Sequence, residues 1–348
     1  MQKPFKVLQI GFGTIGRTLA QTIIERENLE LIGMIDTDPT LQNKQVDEIL
    51  PMSSDSSLII HNNLQKTLNE RDMRPVDVVL IATSSSLELV APTISNCLRS
   101  GLDVISLCEE LAYPFERYPQ LSNELNQIAH EVNKTVLGTG INPGFIMDLL
   151  PIILTAPCPR VDRVHVTRCM DSSNRRAAFQ KKIGTGMSQM EFEKAIAEKT
   201  ITGHRGLSES IQLIDSALRF NLDYIEELPP ESVIASKEIK TSFTTVQNGE
   251  VCGLKSRAVG QKDGETLISL DFFAYAGATP AYDEVKIEGL PNLTQRIEGG
   301  IHGDHGTVGM IINMIPLVVQ AQPGLLTMKD IPCPHNTQRV WKSTGRSL

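Results

Sequence analysis

Basic residues are not in excess in this sequence: 33 Lys and Arg stand against 41 Asp and Glu, a net charge of -8. Nucleic-acid binders need a clustered basic surface, so a partner built on a phosphate backbone is not expected. No apolar run reaches the roughly 20 residues that span a bilayer, and no charged n-region with an apolar core precedes the first strand. A cytoplasmic protein with no membrane contact is therefore expected. Six cysteines, Cys97, Cys108, Cys158, Cys169, Cys252 and Cys333, occur without a CxxC pair. That spacing suits reduced, mostly buried thiols and not a disulfide framework. A metal centre is not expected either: His302 and His305 in GIHGDH are the closest histidine pair, lack an evident third ligand, and stand among glycines that point to a turn. Internal repeats and low-complexity segments are also missing.

What remains is an ordinary globular composition, 41% hydrophobic and 21% charged over 348 residues, a length that suits two domains. The chain is organised around its start. An apolar strand, Lys6 to Ile10, runs into GFGTIG, Gly11 to Gly16, then into the helical stretch RTLAQTIIERE and a second strand, LELIGMID, ending in Asp36. Gly11 permits a tight turn, Gly13 lets backbone approach a pyrophosphate, and Gly16 lets helix and strand pack closely. The N–H groups of Thr14, Ile15 and Gly16 open the helix and face the phosphates. Asp36 stands where a carboxylate accepts both hydroxyls of an adenine ribose, which favours NAD and leaves NADP possible.

Further along, VDVVLIATSS reads as a buried parallel strand whose carboxyl end offers Thr83 and Ser84 to the cofactor. A helix follows, with Ser86 as N-cap and Gly101 at its stop. Strand DVISL leads into Cys108, Glu109 and Glu110, and a helix near Tyr118 to Val132 precedes the strand TVLGTGINPG. This alternation predicts a Rossmann-type α/β domain, a doubly wound parallel sheet, over residues 1–148. The region 149–299 reads as an α+β domain for substrate and dimerisation, with a mainly antiparallel sheet. Its strands are VDRVHVTRCM, EIKTSFTTV, EVCGLKSRAVGQ, ETLISLDFFAYA and YDEVKIEGL, with hairpin signals at Asn248-Gly249 and Asp263-Gly264. Helices are expected near Ser188 to Glu198 and Ser208 to Arg219. A glycine-rich loop, GGIHGDHGT, then leads to a buried helix, Thr307 to Gln320, which returns to complete the first domain (about 300–335), and NTQRVWKSTGRSL forms a polar tail.

Chemistry is expected first at Glu109 and Glu110, because adjacent carboxylates at the end of a buried strand are costly unless solvated or paired. Neighbouring strand residues point in opposite directions, so one of the two faces the cleft. There it can hold an amine and act as general acid or base beside a nicotinamide; an exposed acidic loop is the alternative. Asn142 in GTGINPGF either hydrogen-bonds a carboxamide or belongs to a rigid hinge. Arg175, Arg176, Lys181 and Lys182 either receive a substrate carboxylate or form a solvated loop. His204 either faces substrate or belongs to a loop that Ser208 closes as a helix cap.

GFGTIG, CEELAYP, LGTGINPGFIMD, DSSNRRAAFQKKIGTG, GHRGLSES and GDHGTVGMIINMIP with PGLLTMKDIP together resemble the 2,4-diaminopentanoate dehydrogenases and the native amine dehydrogenases, distant relatives of dihydrodipicolinate reductase. The resemblance covers nearly the whole chain. It implies NAD(P)-dependent oxidative deamination of a primary amine, reversible as reductive amination of a ketone or aldehyde with ammonia, with 2,4-diaminopentanoate among the candidate substrates. It also implies a homodimer joined through the sheet of the second domain, and an ammonia-binding glutamate at Glu109 or Glu110. Glu109 is the choice, since VISLCEEL is similar in layout to the homoserine dehydrogenase strand whose catalytic lysine falls at that position. A dihydrodipicolinate- or homoserine-type reductase without ammonia exchange, and a non-catalytic NAD sensor, are the rival readings.

Overall fold

The computed structural model describes residues 3–50, 58–70 and 75–338. Residues 51–57 and 71–74, and the polar tail beyond Gln338, lie outside the described residues. In chain order the first elements are β1 (Phe5–Ile10), α1 (Thr14–Glu25), β2 (Leu29–Ile35), α2 (Val46–Ile49), β3 (Ile60–His61), α3 (Leu64–Glu70), β4 (Val78–Ile81), α4 (Leu87–Arg99) and β5 (Asp103–Ser106). A 3₁₀ turn (Glu109–Leu111), α5 (Pro119–Glu131) and β6 (Thr135–Gly138) follow. Next come α6 (Leu149–Leu154), β7 (Arg160–Asp171), α7 (Ala177–Lys182), α8 (Gln189–Ala197) and α9 (Leu207–Leu218). A run of strands then occupies β8 (Tyr224–Ile234), β9 (Ile239–Lys240), β10 (Thr245–Val246), β11 (Val251–Lys262), β12 (Glu265–Tyr275), β13 (Tyr282–Leu290) and β14 (Leu293–Glu298). The chain ends in α10 (Gly303–Val318) and β15 (Gly324–Leu326). Two compact units result, one of Met1–Gly144 with Gly303–Leu348 and the other of Phe145–His302.

In the first unit seven strands pair in the order β15-β6-β5-β4-β1-β2-β3, every pairing parallel. The four residues of each of β4, β5 and β6 are buried, as strands covered on both faces must be. Helix α4 forms because Leu87, Val90, Ala91, Ile94, Cys97 and Leu98 recur at helical spacing and fill the core against β4 and β5. It stops at Gly101, whose φ of 76° lets the Gly101 and Leu102 N–H groups close onto Leu98 and Cys97 carbonyls at 2.7 and 3.2 Å. Helix α10 is apolar on most sides, and burying side chains such as Ile311, Ile312, Met314 and Ile315 stabilises the unit by about 1.5–3 kcal/mol each. Because β1 lies between β2 and β4, the connections diverge on either side of it and leave a crevice at the carboxyl ends of β1 and β4. That crevice is where the glycine turn opens.

The second unit is built on a six-stranded sheet, β14-β13-β7-β12-β11-β8. Alternation sets one face inward: Leu254, Ser256 and Ala258 on β11, Ile268, Leu270 and Phe272 on β12 are buried, and the residues between them are more exposed except Asp271, which is also buried. Helix α9 packs across β8, β11 and β12, and α6 packs on β13.

The sheet is mainly antiparallel, as expected, with one parallel pairing, β7 with β12. Several other expectations are corrected. Asp263-Gly264 does join a hairpin, β11 to β12, but Asn248-Gly249 links β10 to β11, which pair with β9 and β8 respectively. Strand TVLGTGINPG ends at Gly138, and the rest turns. The loop GGIHGDHGT is helical from Gly303, so His305 stands on α10 and not in a turn. Part of the basic stretch after Arg176 is also helical. Gly206, with φ 96°, caps α9 in place of Ser208. Strands β8 and β14 were not expected.

Candidate active site

The glycine turn shows three glycines in three different roles. A Cβ on Gly11 would lie 2.4 Å from the Ala82 carbonyl oxygen, and the residue has φ 100°. A Cβ on Gly16 would lie 2.2 Å from the Gly11 carbonyl oxygen, so helix and turn touch there. Around Gly13, by contrast, nothing lies within 4 Å of an added Cβ, and the residue is exposed. The open side of the turn therefore sits where a pyrophosphate would need backbone contact, next to the Thr14 and Ile15 amides, and the first turn of α1 has no acidic residue to repel it.

Two side chains brace this cradle. Gln9, wholly buried, donates from Nε2 to the Gly11 and Gly16 carbonyls at 2.8 and 2.7 Å. Asp36 accepts the Phe12 N–H at 2.6 Å through Oδ2 and the Asp38 N–H at 2.8 Å through Oδ1. Each carboxylate oxygen keeps a second lone pair for a ribose hydroxyl. A groove of about 440 Å³ opens beside it, lined by Ile10, Ile35, Thr37, Asn62, Thr93 and Asn96 among others. Its apolar floor and amide rim suit an adenine. Thr83 is exposed and Ser84 half-buried at the end of β4, where the Ser84 hydroxyl accepts the Ser86 N–H at 3.2 Å. Asn142 is half-buried in the turn after β6, and the next turn residue inward, Ile141, donates its N–H to Thr307 Oγ1 at 3.3 Å.

The two glutamates at the end of β5 occupy unlike environments. Glu110 is 2% exposed; its Oε2 accepts the Leu87 N–H at 2.9 Å and the Tyr118 hydroxyl at 2.8 Å, and Arg117 approaches Oε1 at 3.5 Å. The Leu87 N–H is one of the unpartnered donors at the start of α4, where the Ser86 side chain makes no cap. Glu110 thus caps a helix that the sequence assigns to Ser86. Burial, followed by the bond to Glu110, pushes the Tyr118 hydroxyl up to about 12. Glu109 is half-buried, and its carboxylate has no hydrogen-bond partner among the described residues. Beside it Cys108 donates Sγ–H to the Ser85 carbonyl at 3.1 Å, and burial pushes this thiol up to about 12, leaving it inert.

In the second unit the inward face carries a polar row. Adjacent register partners on β11, β12, β7 and β13 are Ser256, Phe272, Arg168 and Asp283. The His204 ring stacks on Phe272 with centroids 4.2 Å apart, and the His204 backbone N–H donates to Ser256 Oγ at 3.2 Å. Arg168, 1% exposed, lies with Nε 3.6 Å from Asp283 Oδ1 and donates from Nη2 to the Ile301 carbonyl. Its Nε and Nη1 have no hydrogen-bond acceptor among the described residues. Burial lowers the Arg168 guanidinium and raises the Asp283 carboxyl from their usual ranges. Arg175 is buried too, with its guanidinium 4.6 Å over Phe179, whereas Arg176 is exposed. Arg168 was missed in the sequence, although its place in the inward alternation Val164, Val166, Arg168 is legible. Gln9 and Tyr118 were missed as well. No group of three metal-binding side chains occurs among the described residues.

A glycine cradle that fits a dinucleotide, at the switch point of a parallel sheet, together with a half-buried carboxylate two strands away, defines a Rossmann-type nicotinamide-dependent dehydrogenase unit. Residues 145–344 match the family described as 2,4-diaminopentanoate dehydrogenase C-terminal domain. The chain is 32% identical over 334 residues to 2,4-diaminopentanoate dehydrogenase of Acetoanaerobium sticklandii, covering 95% of this chain and 94% of that protein. It belongs to the 2,4-diaminopentanoate dehydrogenase family. It is also similar to an amine dehydrogenase of Streptomyces virginiae, 21% identical over 92% of this chain and 94% of that one. The solved amine dehydrogenase of Mycobacterium smegmatis shares the fold with a TM-score of 0.80 at 19% identity, over 96% of this chain and 98% of that one.

Proposed function

We propose that this protein is an NAD(P)-dependent amine dehydrogenase, which oxidises a primary amine to an imine and releases ammonia on hydrolysis, and which runs in reverse as reductive amination. The observation that carries this reading is Glu109: a carboxylate without a hydrogen-bond partner among the described residues, at the end of a strand two places from the glycine turn, about 10 Å across the sheet. Gly13, Thr14 and Ile15 would hold the pyrophosphate of the dinucleotide, Asp36 its adenine ribose, and Thr83, Ser84 and Asn142 its nicotinamide half. When bound, the cofactor accepts or supplies the hydride.

The chain's own residues do the rest. Glu109 holds ammonia or the substrate amine by a charge-assisted hydrogen bond and orients the nitrogen lone pair toward the carbonyl carbon. Glu109 takes a proton from ammonium to free ammonia. As the C–N bond forms, a second nitrogen proton passes to the carbonyl oxygen, and Glu109 returns its own proton to the resulting hydroxyl, so that water leaves, an iminium remains and the carboxylate is regenerated. In the deaminating direction the same carboxylate takes the proton from the attacking water. Within the second unit, Arg175 and Arg176 are candidates for a substrate carboxylate and His204 for a polar substrate group.

NAD is favoured over NADP by the negative charge of Asp36 and the neighbouring Asp38. A homodimer, by resemblance, and a cytoplasmic setting belong to the same proposal. The latter is supported by six free thiols. The test is oxidation of NADH with ketones, aldehydes and 2-amino-4-oxopentanoate, each with and without ammonium. Oxidation indifferent to ammonium sinks the reading, as does wild-type turnover by Glu109→Gln.

A further inference from the structure

Adjacent glutamates invite the view that both react, yet the geometry divides their work. The backbone on either side of Glu109 is tied down by the end of β5 and by the loop after β4. On one side, the Cys108 N–H donates to Ser106 Oγ at 3.1 Å and Cys108 Sγ reaches the Ser85 carbonyl at 3.1 Å. On the other, the Glu110 N–H reaches the same Ser85 carbonyl at 3.4 Å, while the Glu110 carboxylate takes Leu87 N–H and Tyr118 OH. The loop after β4, the turn after β5 and the start of α5 are therefore stitched at one point. The Glu110 carboxylate is 2% exposed and already takes three donors, so its charge is directed at the protein and not at a ligand. Glu109 is the residue between these stitches, with a fixed backbone and a side chain left unbonded.

We propose that Glu110 and Tyr118 form a clamp that positions Glu109 and, through Leu87, holds the Thr83–Ser86 loop at a fixed distance from it. Glu110 is then a positioning residue and not a second reacting carboxylate. The proposal rests on the reading of Glu109 as the group that binds ammonia. Its physical content is that misplacing a reacting group by about 1 Å can lower turnover by up to a hundredfold without touching the chemistry itself. Tyr118→Phe removes one donor from a half-buried ring, and Glu110→Gln keeps an amide oxygen that can still accept from Leu87 and Tyr118.

The experiment compares Tyr118→Phe, Glu110→Gln, Glu110→Ala and Glu109→Gln with wild type. It measures kcat, KM for ammonium, Kd for NADH, melting temperature and peptide-resolved hydrogen–deuterium exchange. The expected result for Tyr118→Phe is a fall in kcat of about tenfold and a raised ammonium KM, with NADH Kd within about twofold of wild type. Glu110→Gln should retain more turnover than Glu110→Ala, a rescue that follows the hydrogen bonds. Exchange should rise in peptides covering 83–89 and 107–112 and stay unchanged in the second unit. A purely structural role would change melting temperature and leave the kcat of the folded fraction intact, which overturns the clamp. Turnover lost in Glu110→Gln with exchange unchanged makes Glu110 a reacting group and also overturns it. If Glu109→Gln keeps wild-type turnover, the assignment of Glu109 fails, and the exchange comparison alone decides whether the clamp exists.

Discussion

Gln9 and Gly16 are joined by a 2.7 Å hydrogen bond from the Gln9 side-chain amide to the Gly16 carbonyl, and the same nitrogen donates to the Gly11 carbonyl at 2.8 Å. The bond crosses from the last turn of a buried strand to the first turn of a helix, so the loop between them has a fixed width. Because Gln9 is fully buried, no water can replace its amide when it is removed. Gln9→Leu is expected to lower stability by about 1–3 kcal/mol, the cost of leaving a buried carbonyl unpaired. It should also weaken NADH binding about tenfold, because a widened turn no longer presents its amides together. Urea denaturation and a fluorescence titration check the two effects, and a variant unchanged in both shows that the brace is idle.

The glycines of the turn should separate binding from folding. Gly13→Ala places a methyl group in open space and is expected to melt within about 2 °C of wild type, yet to lose NADH affinity by more than tenfold, since that space is where the pyrophosphate approaches. Gly16→Ala forces a carbon to 2.2 Å from the Gly11 carbonyl oxygen and is expected to destabilise by about 3 kcal/mol or more. Tight NADH binding by Gly13→Ala counts against the cradle.

The first unit was legible because its signals are local: glycines at fixed offsets, four-residue apolar strands, an acid at the end of β2. The second was less so. Strand β8 carries Pro229 and Pro230, which read as non-strand, but it lies at the sheet edge, where a missing N–H is tolerated. The start of α10 was hidden by Gly303, Gly306 and Gly309, weak helix formers held in place by the apolar face that follows. Glu109 and Glu110 were legible as a pair and indistinguishable as individuals, because what separates them is Leu87 and Tyr118, residues brought alongside only by the fold. The same holds for Arg168, whose carboxylate partner lies six strands later in the chain.

Arg168 and Asp283 offer a test of how a buried pair behaves. Both are almost fully buried, and Asp283 also accepts the Ile301 N–H at 2.8 Å. Removing one charge strands the other, so Arg168→Met is expected to cost about 3–5 kcal/mol. The double variant Arg168→Met with Asp283→Leu should recover more than half of that loss, because neither charge is left uncompensated. A double-mutant cycle in urea measures the coupling, and purely additive losses mean that the two charges do not depend on each other.

Asp36 should decide the cofactor. Its Oδ2 accepts Phe12 N–H, which orients the carboxylate beside the turn, and a 2′-phosphate would face that charge and Asp38. Steady-state kinetics should show a lower KM for NADH than for NADPH by about tenfold or more, about 1.4 kcal/mol of discrimination. Asp36→Asn keeps an acceptor for Phe12 and removes the charge, so the ratio should narrow by about tenfold. An unchanged ratio places cofactor choice elsewhere.

The thiols supply the pH test. Burial pushes Cys97 and Cys108 up to about 12 from an ordinary value of 9.0. In the unfolded chain these thiols ionise first, so between about pH 9 and 12 the folded state binds more protons. Stability therefore is fully present below pH 9 and falls as pH rises, by up to about 1.4 kcal/mol per unit for each thiol. Cys97→Ala should flatten part of that slope when urea midpoints are compared at pH 8 and 10.5. At pH 8 a thiol reagent should label exposed Cys333 in the native protein and reach Cys97 and Cys108 only after denaturant is added. Native labelling of Cys108 would mean that the turn holding Glu109 opens, and with it the geometry on which the reaction depends.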